Sequence, residues 1–156
     1  MEPRKIKDLA PKPSDALQAM VDGLKAQSKR DDFEIDMRTF GMKGMTICFG
    51  CAATCAIQQL AGIDFTMKTG ISCEMYRAET LNLEIGEMSR FESVIDNARC
   101  GNLSNLLRFY YGDEWKEETK LPSELVHHGV QLRTDDWRNK IHLFDDIIFQ
   151  LKMRGV

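Results

Sequence analysis

The chain has 156 residues, 43% of them hydrophobic and 29% charged, with a formal net charge of −3. That mix belongs to one globular domain, large enough to bury a core without disulfide or metal staples, and it excludes a disordered chain. The mild acidity speaks against nucleic acid as a partner, because phosphate binding calls for a basic surface.

The longest mainly apolar run, residues 46–60, is shorter than the ~20 residues that span a bilayer. Charges and prolines occupy the N-terminus where a secretory signal needs an apolar stretch. The cysteine count is odd, at five. Together these predict free thiols in a reducing, cytoplasmic setting.

Pro3, Pro11 and Pro13 predict an extended arm over residues 1–13, ahead of a single helical domain over 14–156. Ser14 is the expected N-cap of a helix from Asp15 to about Lys29. Leu17, Met20, Val21 and Leu24 share one face of it. Phe33, Ile35 and Met37 alternate with charged residues, the period of a short strand. Gly41 and Gly44 break the chain. Thr46 then caps a central helix over about 46–61, and Gly62 stops it.

Ile63, Phe65 and Met67 alternate, as do Leu81, Leu83 and Ile85. Both segments read as short strands, with a helical turn over 72–79 between them. Ser89 and Glu92 have capping-box spacing, followed by Phe91, Val94, Ile95 and Ala98 on one helical face. A second short helix spans about 103–111 and ends at Gly112. Residues 112–122 read as a polar loop or a loop with one helical turn. Pro122 suits the first position of a short helix containing Leu125 and Val126. Thr134 caps a last helix in which Trp137, Ile141, Phe144, Ile148 and Leu151 recur every three to four residues. The expected fold is mainly α: a single compact domain of five to seven helices around a buried central helix, with room for a minor pair of short strands.

The segment GMKGMTICFGCAATCAIQQLAG, residues 41–62, holds three of the five cysteines among small and apolar residues. If the helix begins at Thr46, then Cys48, Cys51 and Cys55 share one face. The first reading is packing, since free cysteine behaves as a small buried hydrophobe. The second is thiol chemistry. Cys48-Phe49-Gly50-Cys51 is a C-x-x-C, and Cys48 near a helix start would gain thiolate character, with Cys51 to resolve a disulfide. That arrangement resembles thioredoxin-like sites and the all-helical peroxidase-reducing proteins. Cys55 stands here near the place where the latter carry a histidine, so their proton relay is missing. A third reading is similar to papain-like enzymes: Cys48 or Cys51 as nucleophile, His128 as base, and Asp135 or Asn139 orienting the imidazole. Those enzymes place strands after the histidine, whereas this chain ends in a helical pattern. A metal held by Cys48, Cys51 and Cys55, with Cys73, Cys100 or a histidine as fourth ligand, lacks the second C-x-x-C of a zinc ribbon. Neither metal nor cofactor is expected.

His127, His128 and His142 read as surface or boundary histidines, and Asp145 and Asp146 as the solvated face of the last helix. The segment Tyr110-Tyr111-Gly112-Asp113-Glu114-Trp115, continued by Glu117 and Glu118, is different. Aromatics favoured in binding hot spots stand beside carboxylates that would steer a basic partner. These residues carry the favoured expectation of a small, non-enzymatic protein-binding protein of adaptor, immunity or inhibitor type. The competing expectation is a thiol-dependent enzyme built on Cys48 and Cys51.

Overall fold

Helical spacing of apolar residues governs most of the chain. The computed structural model describes residues 2–35, 42–43, 48–62, 81–99, 103–128 and 137–156. In chain order the elements are α1 (Ile6–Leu9), α2 (Pro13–Gln27), β1 (Phe33–Ile35), β2 (Met42–Lys43), β3 (Cys48–Gly50), α3 (Ala52–Ala61) and α4 (Ile85–Arg99). Then come α5 (Leu103–Tyr111), a 3-10 turn (Gly112–Glu114), α6 (Trp115–Thr119), α7 (Ser123–His128) and α8 (Trp137–Met153). The fold is mainly α. Among the described residues a small sheet has the order β1-β3-β2, with β1 parallel and β2 antiparallel to β3.

The helix α3 lies at the centre. Every residue from Ala52 to Gln58 is buried, and so is Ala61. It packs on α2, α4, α1 and β3, while α2 also packs against α8 and α4 against α5. Small side chains on α3 let its neighbours come close. At Gly23 of α2 a Cβ would collide with the carbonyl oxygen of Cys55 and sit 2.6 Å from its carbonyl carbon. Only glycine permits that crossing. Around it the core fills with Leu17, Met20, Leu24, Ile57, Met88, Phe91, Phe109 and Phe144, all fully buried. Each such side chain contributes about 1.5–3 kcal/mol through burial.

The N-terminal segment packs onto the helices through Ile6 and Ala10. Ile6–Leu9 forms a helical turn despite the flanking prolines, which leave residues 6–9 free to coil. Ile6 and Ala10 are fully buried. The backbone of Arg4 exchanges hydrogen bonds with Asn82 and Glu84 at 2.8 and 3.0 Å, and its guanidinium donates to the Leu81 carbonyl at 2.7 Å.

Other boundaries shift for local reasons. The helix α2 starts at Pro13, with Lys12 as N-cap. The Lys12 N–H donates to the Asp15 carboxylate at 3.0 Å. Ser14, the expected cap, lies inside the helix, and its hydroxyl donates to the Val156 carbonyl at 3.0 Å. The helix α4 begins at Ile85, so Ser89 is an interior residue and Ile85 is no strand residue; Leu83 makes an isolated bridge with Arg4. The central helix begins at Ala52 rather than near Thr46, because the backbone of Cys48–Gly50 pairs with β1 and β2. Gly62 ends it at φ 71°, the left-handed conformation that glycine adopts without strain. The short strand expected at Phe33 and Ile35 is β1, and the helix expected over 103–111 is α5. Expectations for Thr46, Ile63, Phe65, Met67, 72–79 and Thr134 lie outside the described residues.

Two glycines give opposite predictions. Gly23→Ala should destabilise the protein by about 2 kcal/mol or more, because the overpacked crossing outweighs alanine's better helix propensity. Gly86, in α4, has nothing within 4 Å of a built Cβ. Gly86→Ala should therefore stabilise by about 0.5 kcal/mol. Urea midpoints at unchanged slope test both.

Candidate functional site

Two regions were candidates from the sequence: the cysteine segment and residues 110–118. In the first, Cys48 is a strand residue, paired with Phe33 in β1 and Lys43 in β2. It does not occupy the second position of α3. The residue at the helix start is Cys51, the N-cap, in an extended conformation. Thus Cys48, Cys51 and Cys55 do not share one helical face. Cys51 is 2% exposed and Cys55 0%. The Cys51 sulfur lies 3.9 Å from the Thr54 hydroxyl oxygen. Both are free thiols. Burial, reinforced by neighbouring Cys51, pushes the Cys55 thiol far above its ordinary value and keeps it protonated.

Cys51, Thr54, Cys55 and Gln58 follow one another at helical spacing along a buried stripe of α3. Gln58 is 3% exposed, and neither its amide nitrogen nor its amide oxygen has a hydrogen-bond partner among the described residues. An amide left in that state costs about 1–3 kcal/mol.

His128 is the last residue of α7. Its imidazole and that of His127 fall outside the described side chains, as does Asp135. Asn139 and His142 are exposed on α8. Among the described residues, no group of three His, Cys, Asp or Glu side chains could hold a metal ion. No helix among them is long and apolar enough to cross a membrane.

The second region divides by side chain. The Tyr110 hydroxyl donates to the Ala10 carbonyl at 2.6 Å, which ties α5 to the N-terminal segment. Its ring stands edge-on to Phe109 at 5.3 Å. Burial, then the carboxylates of Asp15 and Glu87, push its phenol well above the ordinary value. Tyr111 is half-buried, and burial together with Glu118 raises its phenol as well. Trp115, a hot-spot candidate in the sequence with core packing as its alternative, is only 6% exposed and belongs to the core. Asp113, Glu114, Glu117 and Glu118 all face solvent, with the exposed cations Lys116 and Lys120 among them.

Sequence reasoning missed the hollow beside this segment. Trp115, Lys116, Leu121, Ser123 and Val126 line a cleft of about 190 Å³ where α6 meets α7. Its apolar part is an edge of Trp115 with Leu121 and Val126. Lys116 reaches over the indole at 5.6 Å. The recurrence of Leu121, Leu125 and Val126 across Pro122 was the available signal, since apolar residues on both sides of a turn must fold onto something.

Comparison of the chain with models of known families, with curated proteins and with solved structures finds no match.

Trp115→Ala should cost about 3–5 kcal/mol of stability, the signature of a core aromatic, and thermal or urea unfolding will show it. A second prediction concerns alkaline pH. Cys55 and Tyr110 ionise in the unfolded chain near 9 and 10 but are held protonated when folded. Below about pH 9 they contribute no pH dependence. Above it the unfolded state binds fewer protons, so stability falls as pH rises. Urea midpoints at about pH 8 and pH 10.5 should show the drop, and Cys55→Ala should remove part of it.

Proposed function

We propose that the chain is a protein-binding module, non-enzymatic and acting in a reducing, cytoplasmic setting, that docks a basic segment of another protein on residues 112–126. The observation behind this reading is the pairing of four exposed carboxylates with an apolar cleft in one stretch of chain. Asp113, Glu114, Glu117 and Glu118 face solvent, and the cleft floored by Trp115, Leu121 and Val126 opens within the same stretch. A lysine or arginine of the partner suits both parts. Its methylene stem fits an apolar cleft while its cation stays near carboxylates in water. The carboxylates would act chiefly on the rate of encounter and on partner choice, and the cleft on residence time.

The thiol reading has less behind it. Cys51 and Cys55 are almost sealed from solvent, and Cys55 is held in the protonated, unreactive form.

The test is a photo-crosslinking amino acid at the exposed cleft residue Ser123, with crosslinked peptides identified by mass spectrometry. The expected product is one partner peptide rich in lysine or arginine. The triple reversal Glu114→Lys, Glu117→Lys, Glu118→Lys should abolish that product. It should shift stability by no more than about 0.5 kcal/mol per site, as surface substitutions do. Undiminished crosslinking by the reversed protein would sink the assignment.

A further inference from the structure

The helices α4 and α5 enclose a second hollow, with chemistry opposite to that of the acidic segment. Arg90, Ser93 and Val94 line it from α4, and Asn105, Arg108 and Phe109 from α5; its volume is about 310 Å³. Each trio is spaced i, i+3, i+4, so each is one face of its helix. The two trios match in kind. Each contributes one arginine, one neutral polar residue able to donate a hydrogen bond, and one apolar residue. Val94 and Phe109 form the apolar part, and Arg90, Ser93, Asn105 and Arg108 the polar part. Among the described residues that line the cleft there is no carboxylate.

Among the described residues, neither Arg90 nor Arg108 forms an ion pair. The Arg90 guanidinium is held over the Phe109 ring, 5.6 Å from its centroid, which limits its freedom without using its N–H donors. Arg108 is exposed, and Lys7 adds a further positive charge, its Nζ lying 4.8 Å from the same ring centroid. Glu87, the carboxylate recorded in contact with the Lys7 segment, accepts a backbone hydrogen bond from Lys7 at 2.8 Å.

We infer that this cleft binds the phosphate group of a small phosphomonoester, with the apolar part of the ligand against Val94 and Phe109. Two guanidiniums, a hydroxyl and an amide offer more donors than one carboxylate can accept. They suit a group with three terminal oxygens and a charge near −2. The volume stands at the small end of ligand sites, which favours a compact ligand. The inference is independent of the protein-binding reading, because it uses other residues and predicts a different ligand.

The probe is phenyl phosphate, titrated at low ionic strength and followed by NMR of the arginine Nε–H and the Asn105 side-chain amide. Saturable shifts of Arg90, Arg108 and Asn105 are expected. Arg90→Gln and Arg108→Gln should each weaken binding about tenfold or more, as loss of a charged hydrogen bond does. Lys25→Gln, an exposed site on α2, should leave it unchanged. Arg108 lends no packing to the core, so Arg108→Gln keeps the test open if Arg90→Gln loosens the fold. Three results would overturn the proposal: no saturation up to about 10 mM probe, equal weakening by Lys25→Gln, or binding that survives Arg90→Gln with Arg108→Gln. Benzoate binding as tightly as phenyl phosphate would overturn the assignment to phosphate.

Discussion

The crossing of α2 over α3 at Gly23 is the constraint on which the rest of the structure depends. A helix whose backbone meets another backbone directly leaves no room for large side chains at the contact. Ala52, Ala53 and Ala56 on α3 meet that demand, and all three are fully buried. Cys55 of this helix and its N-cap Cys51 fit the same requirement as compact, apolar filling. With α3 held so close, α2 can cover it on one side and still present residues to α8. The sheet also follows from this arrangement. The chain reaches α3 through β3, and β1, which follows α2, is the parallel neighbour of β3. Two short parallel strands therefore deliver the chain from one helix of the central pair to the other.

Much of this was legible because the signals were local. The helix α5 stands where Leu103, Leu106 and Leu107 and the terminal Gly112 place it. The buried face of α8 holds Ile141, Phe144, Ile148 and Leu151, residues whose spacing marked it, together with Ile147; Trp137, of the same spacing, is half-buried. The misplaced start of α3 has the opposite origin. Cys48–Gly50 forms a strand because β1 and β2 offer it hydrogen bonds from either side, and no periodicity within the segment reports those partners. Trp115 shows another limit. In a five-residue helix the apolar period is too short to reveal which way the indole turns. Composition alone therefore left its exposure open, and tertiary packing decided it.

Net charge hid the more specific feature of the surface. A chain at −3 reads as mildly acidic throughout, yet its charges are sorted in space. At the C-terminal end of α5 the carboxylates of 113–118 face solvent. Along its side, against α4, Arg90 and Arg108 line one cleft, with no carboxylate among its described lining residues. A summed charge cannot show this, because it averages over the distances at which charges act. The i, i+3, i+4 repeats of Arg90 and Arg108 became meaningful only once the two helices were seen side by side.

The bond between Ser14 and Val156 joins residues 142 apart in sequence. The packing of α2 on α8 spans nearly the same distance. Contacts of such separation form late, since loop closure must precede them. While the chain emerges from the ribosome, α2 and α3 can pair at once, but the side of α2 that belongs to α8 waits uncovered until the last helix arrives. The stretch in between must be made while an apolar surface stands open, and for that interval the nascent protein is most exposed to aggregation and most in need of a chaperone.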